Sequence, residues 1–139
     1  MKLGFIGTGK ITSSVITGIC TSNISFKNIL VSPRNKNIAQ KLSRKFKKVS
    51  IGKNNQEIIN KCDWIFLGVT PIVGEKIIKD LKFKSNQTVV SFISTMTLLQ
   101  LKKSIKVKAK IVRAIPLPPI SLKKGPVPIC PPNKQVKNF

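Results

Sequence analysis

Six residues near the start of the chain, Gly7-Thr8-Gly9-Lys10-Ile11-Thr12, have the types and spacing to cradle a phosphate. They follow a short apolar run ending at Ile6 and open an amphipathic stretch, the strand–loop–helix context that gives a Gly-x-Gly pattern its meaning. Gly7 allows a tight turn and Gly9 lets an anion approach the main chain. The helix beyond offers free N–H groups and a partial positive charge. Thr12 stands where a third glycine or alanine is usual. Its bulk costs some closeness between helix and strand, and its hydroxyl is expected to find a partner within the helix. A ligand-free, Gly-rich turn has the same spelling; position at the head of an alternating chain separates the two.

A second constellation lies 20 residues past Thr12, where a dinucleotide site that prefers NAD carries an acidic residue for the ribose 2′-hydroxyl. This chain has Ser32-Pro33-Arg34-Asn35-Lys36 instead. A hydroxyl, an amide and two cations suit a 2′-phosphate, and Arg34 can bind one through two parallel hydrogen bonds. The cofactor expected is NADP(H). Charge alone means little in so lysine-rich a chain, so the missing carboxylate carries this reading. With no histidine and only four acidic residues, the chain offers no convincing proton donor. Cys20, Cys62 and Cys130 are far apart and odd in number, which supports neither a metal site nor a disulfide framework.

The elements that must position these residues are legible as short apolar runs alternating with amphipathic stretches. Strands are predicted at Lys2–Ile6, Asn28–Val31, Val49–Ile51, Trp64–Val69, Thr88–Ile93 and Ile111–Ile115. Between them fall helices carrying Val15, Ile16 and Ile19; then Ile38, Leu42 and Phe46; then Asn54–Lys61, with Asn54 and Glu57 as a cap. Pro71 opens another with Val73, Ile77, Ile78 and Leu81, and Thr97 caps one with Leu98, Leu101 and Ile105. The nearly all-apolar run from Trp64 reads as a central strand covered on both faces. The class is α/β: a single-domain, Rossmann-type, doubly wound and mainly parallel sheet with helices on both faces. Most of the nine prolines fall between Pro116 and Pro132, so that stretch reads as a rigid loop around one short strand, Val127–Cys130.

The formal charge of +22, from 26 basic and 4 acidic residues, puts nucleic acid on the list of partners. The cations are nearly all lysines spread along the chain, and no tyrosine and one tryptophan are present for stacking, so a compositional bias explains the charge better than a nucleic-acid face. No apolar run reaches the roughly 20 residues that span a bilayer, nor does the first resemble a signal-peptide core. A soluble, cytoplasmic protein is expected.

The order of motifs resembles the pyrroline-5-carboxylate reductase family nearly end to end. Gly4 through Ile11 is similar to its opening strand, loop and helix, and Ser32-Pro33-Arg34 to its 2′-phosphate turn. Asn55 fits a family asparagine near the adenosine. Asp63 through Pro71, with Gly68, Val69, Thr70 and Pro71 at its end, resembles the family's fourth strand and Val-Lys-Pro terminus. Ile93 and Ser94 stand where it has a small turn close to the cofactor. Val112-Arg113-Ala114-Ile115-Pro116, with Pro119 and Gly125, is similar to the proline-containing region beside the nicotinamide. The resemblance implies NADPH-dependent reduction of a small cyclic imine, pyrroline-5-carboxylate to proline, with residues 1–115 as the dinucleotide-binding unit. It implies that 116–139 lead to a helical C-terminal domain, here missing, that builds the homo-oligomer. Phe139 is then a truncation point, and the chain alone a binder rather than a catalyst.

Departures from the family pattern keep other readings open. Thr70 replaces a lysine, Ile93-Ser94-Thr95-Met96 replaces a small Ala-Ala-Gly turn, and Leu117-Pro118 replaces an Asn-Thr pair. One alternative is another dehydrogenase of the same broad group, such as a β-hydroxyacid dehydrogenase or a deazaflavin-linked NADP reductase. Another is a degenerate or regulatory NADP-binding module without activity.

Overall fold

In the computed structural model, which describes all residues 1–139, seven strands form one sheet in the order β3-β2-β1-β4-β5-β6-β7. The strands are β1 (Lys2–Ile6), β2 (Asn28–Val31), β3 (Val49–Ile51), β4 (Trp64–Leu67), β5 (Thr88–Ser91), β6 (Lys110–Ala114) and β7 (Ile129–Cys130). All neighbours run parallel except β7, which pairs antiparallel with β6 through Arg113–Cys130 and Ala114–Ile129. The helices are α1 (Lys10–Cys20), α2 (Lys36–Lys45), α3 (Asn55–Lys61), α4 (Pro71–Ile77), α5 (Leu98–Ile105) and α6 (Lys134–Lys137). This is the expected Rossmann order, which reverses direction between β1 and β4 and opens a crevice at their carboxyl ends.

Alternate residues of each central strand feed two separate cores. Leu3 and Phe5 of β1, Phe66 of β4 and Val90 of β5 pack with Val15, Ile16 and Ile19 of α1 and with Ala39 and Leu42 of α2. Ile6, Ile65, Leu67 and Val89 point the other way, toward Ile58 and Ile59 of α3 and Leu101 and Ile105 of α5. Period-2 alternation inside a continuous apolar run is what burial on both faces requires. The rings of Phe5 and Phe66 stack across the β1–β4 pair with centroids 4.4 Å apart.

Local signals set the helix starts. The Asn54 side chain accepts from Glu57 N–H at 2.9 Å, while the Glu57 carboxylate turns back to Lys53 N–H at 2.6 Å. Thr97 and Gln100 form a reciprocal capping box at α5. Gln87, 1% exposed, bridges elements by donating to the carbonyls of Ile59 and Cys62 and accepting from Lys84 N–H.

Several boundaries differ from the sequence expectation. β4 stops at Leu67, because Gly68 and Val69 turn away to form the crevice wall. β5 ends at Ser91 and β6 at Ala114, each earlier than their apolar runs. α4 stops at Ile77 and tightens into a 3-10 turn, Ile78–Asp80, which leaves Leu81 beyond it. β7 is only Ile129–Cys130, since Pro126 and Pro128 lack the N–H groups a longer ladder needs. The proline-rich stretch also holds a 3-10 turn, Pro118–Leu122, that docks on α1, followed by α6. Gly18 permits that docking: a Cβ there would lie 2.5 Å from the Ile120 carbonyl oxygen.

Candidate functional site

At the carboxyl ends of β1, β2 and β4 lies an open pocket of about 720 Å³. The loop after β1 forms its floor. Gly7 has φ +94°, and a Cβ on it would sit 2.4 Å from the Gly68 carbonyl oxygen, so only glycine serves both the turn and the close approach. Gly9 is the N-cap of α1 and has no side chain to cap it. A Cβ on Gly9 would meet nothing within 4 Å, so its absence leaves room over the helix N-terminus for a ligand. The Thr8 side chain, 3% exposed, carries a hydroxyl with no hydrogen-bond partner beside this opening. Unpaired N–H groups, an orphan hydroxyl and vacant space over a glycine are what a dinucleotide's pyrophosphate would use.

Thr12 is the second orphan. Its hydroxyl is buried without a partner, contrary to the expectation that the helix would satisfy it. The reason is packing: its Oγ1 occupies the space a side chain at residue 68 would take, 2.0 Å from an ideal Cβ there. The bulk of a threonine at the third position of the motif is thus accommodated by a glycine on the facing strand end.

The second wall is the turn after β2. Arg34, Asn35, Lys36 and Asn37 line the pocket and are exposed, and no acidic residue lines it. Asn35 has a structural task as well: its Oδ1 accepts from Ile38 N–H at 3.4 Å as the N-cap of α2, leaving its NH₂ to face a ligand. Ser32 is 2% exposed and lies outside the lining; its main-chain N–H donates to Phe5 O and closes the β1–β2 ladder. The third wall is Gly68, Val69 and Thr70, with Val73 from the first turn of α4.

The structure therefore gathers Gly7, Thr8, Gly9, Arg34, Asn35, Gly68, Val69 and Thr70 around one pocket. Ile6, Lys10, Ile11, Asn55 and Pro71 lie outside its lining. Ile93 is 1% exposed and packs against Gly74 in the core, while Ser94 is exposed and its carbonyl accepts from the Arg113 guanidinium at 2.5 Å. Sequence reasoning did not nominate Asn37 or Val73 for this wall. Val73 sits two residues after Pro71, on the face of α4 that a helix starting at a crevice must turn inward.

The family described as NADP oxidoreductase, coenzyme F420-dependent, matches residues 2–97, which span the loop, the Arg34 turn and the Gly68 wall. The chain belongs to this family. It is 27% identical over 128 residues to pyrroline-5-carboxylate reductase 3 of Danio rerio, covering 90% of this chain and 44% of that protein. Pyrroline-5-carboxylate reductase of Escherichia coli K12 is 27% identical over 133 residues, covering 94% of this chain and 49% of the enzyme. The chain thus spans about half the length of these curated relatives. Among solved structures, Plasmodium falciparum pyrroline carboxylate reductase with NADP bound superposes with a TM-score of 0.82 at 24% identity, over 99% of this chain and 52% of that one. The Streptococcus pyogenes enzyme gives 0.79 at 23% identity, over 99% and 52%. These likenesses establish the fold. No helix is long and apolar enough to cross a membrane.

Proposed function

We propose that this chain is the cofactor-binding part of an NADPH-dependent reductase of a small cyclic imine, pyrroline-5-carboxylate yielding proline. The observation that carries the reading is the pocket at the β1–β4 switch point, where the Gly7–Gly9 loop faces a cationic turn free of carboxylates. Gly9 and the first N–H groups of α1 hold the pyrophosphate, and the Thr8 hydroxyl donates to a phosphate oxygen. Arg34 and Lys36 receive the 2′-phosphate, with Asn35 and Asn37 supplying amide donors. Val69, Thr70 and Val73 flank the path toward the nicotinamide. The nicotinamide supplies the reducing equivalents, so the protein's work is to position it and exclude competing reactions. That division suits a chain without histidine. The relatives' names point to the imine substrate, and their greater length to a further portion that completes the substrate site. A second reading, exchange between NADP(H) and a deazaflavin, is favoured by the family description alone.

Titration of the chain with NADPH and NADH tests this, followed by energy transfer from Trp64, the only tryptophan. Saturable NADPH binding that exceeds NADH binding by about 10- to 100-fold is expected, the worth of one charge-assisted contact of about 1.5–3 kcal/mol. Arg34→Ala should erase most of that preference. Equal affinity for both nucleotides in the unaltered chain overturns the assignment of the turn.

A further inference from the structure

Arg113 stands two residues past Ile111 on β6, so its side chain leaves the sheet on the face that carries α5. The guanidinium reaches the loop between β5 and α5, where Nη2 donates to the Ser94 carbonyl at 2.5 Å, while its buried Nε–H has no partner. No carboxylate pairs with it, for the chain's one ion pair joins Lys61 and Glu57. A partly buried cation with neither a counterion nor a full set of acceptors is a costly way to hold a strand end. What it holds is the loop.

The ends of that loop are fixed without Arg113. Phe92 N–H donates to the Leu67 carbonyl at 2.9 Å, Ile93 N–H to Ser91 Oγ at 3.2 Å, and the Thr97–Gln100 capping box sets the start of α5. Between them Ser94 and Thr95, both exposed, make no hydrogen bond from main chain to main chain, so the Arg113 contact is their tether. Ile93 and Met96 flank this pair, are buried, and meet Val69 at Gly74. An ideal Cβ on Gly74 would lie 2.7 Å from Ile93 Cδ1, 3.4 Å from Met96 Sδ and 3.5 Å from Val69 Cγ2. Val69 in turn lines the nucleotide pocket. In a close-packed interior a shift of the turn is felt by the side chains it backs. With its phosphates at Arg34 and at the α1 N-terminus, a dinucleotide lying across the crevice carries its other half past Val69, toward the β5 side.

We propose that Arg113 is a positioning residue for the nicotinamide half of the cofactor, acting through the Ser94–Met96 turn on Val69 and touching neither cofactor nor substrate. The proposal rests on the cofactor reading above. It divides the ligand in two: the adenosine half, held by Arg34 and the Gly7 loop, does not sense Arg113, and the nicotinamide half does.

The test compares NADPH with 2′,5′-ADP, which has the adenosine phosphates and no nicotinamide, on the full 139-residue chain and its Arg113→Met and Arg113→Lys variants. Methionine keeps an unbranched stem and removes every donor; lysine keeps a cationic donor. Arg113→Met should weaken NADPH about 3- to 10-fold, the worth of one ordinary hydrogen bond, and leave 2′,5′-ADP unchanged. Arg113→Lys should restore most of the NADPH affinity. A merely structural arginine would weaken both ligands alike, and that result overturns the proposal, as does unchanged NADPH binding in Arg113→Met. A second readout needs no nucleotide: the Val69 methyl resonances should move in Arg113→Met and return most of the way in Arg113→Lys. Unmoved Val69 methyls overturn the proposal while the cofactor reading stands. If the unaltered chain binds neither nucleotide, the cofactor reading itself fails and this proposal with it.

Discussion

Gly68→Ala should damage the protein through one neighbour, Thr12. The added Cβ falls 2.0 Å from Thr12 Oγ1, far inside any real contact, while Thr12 Cβ lies 3.4 Å away and the Gly7 carbonyl oxygen 3.6 Å, both tolerable. Threonine on a helix has few rotamers to escape into, so helix and strand end must part. Overpacking of this kind costs about 1–3 kcal/mol. For a chain of this length that is roughly 3–12 °C in Tm, and it displaces the Gly7 carbonyl that forms the pocket floor. Thr12→Ala alone should be near neutral. It gives up a methyl worth about 1 kcal/mol but removes a buried hydroxyl whose missing partner costs about 1–3 kcal/mol. In the double variant the alanine at 68 enters space the threonine has left, so most of the Gly68→Ala cost should vanish, a coupling of about 1–3 kcal/mol. Urea denaturation of the four proteins measures it. If the two substitutions add, the orphaned Thr12 hydroxyl is not what holds residue 68 to glycine, and the packing argument fails.

Three further outcomes follow from the same geometry. Gln87→Leu leaves the Ile59 and Cys62 carbonyls and the Lys84 N–H without their side-chain partner and should cost about 2–4 kcal/mol in urea melts, whereas the exposed Gln135→Leu should cost almost nothing. The Cys62 thiol is pushed up to about 11 from an ordinary 9.0, by burial first and by the neighbouring Asp63 charge second. The folded chain keeps a proton that the unfolded chain releases, so this contribution is complete below pH 9 and is lost as pH rises toward 11. At pH 8.5 a thiol reagent should therefore modify exposed Cys130 promptly and Cys62 only on unfolding, which mass spectrometry of the labelled chain checks. Gly7→Ala should abolish nucleotide binding and lower Tm, because its φ of +94° and the Gly68 carbonyl at 2.4 Å both exclude a side chain.

What could be read from the sequence divides along physical lines. Burial on both faces imposed apolar runs at β1, β2, β4 and β5, and capping imposed Asn54, Glu57 and Thr97, so these elements were visible in one dimension; the reciprocal partner Gln100 emerged only in the structure. Strand ends were not. Val69 and Ile93 extend their apolar runs past the last ladder pair because they pack in a crevice wall and in the core, a tertiary cause that hydrophobicity cannot distinguish from strand. The segment after Pro116 has no periodicity of its own, and its turn is fixed by docking on α1 at Gly18. In the pocket, the Gly7 loop and Arg34 were legible from type and spacing. Ser32, read as a candidate ligand, is buried just past β2 and outside the pocket lining, while Asn37 and Val73 entered the wall through helix geometry rather than through any motif. The partnership of Thr12 with Gly68 joins residues 56 apart in sequence, and only the β1–β4 pairing brings them together.

The most direct test of the account is where NADP⁺ perturbs the backbone amides of the isotope-labelled chain. The account predicts saturable shifts concentrated at Thr8 to Ile11, at Arg34 to Asn37 and at Gly68 to Thr70, with the Val127–Phe139 amides unmoved. Shifts that leave the Gly7 loop unmoved, or that scatter over surface lysines without saturation, would contradict it.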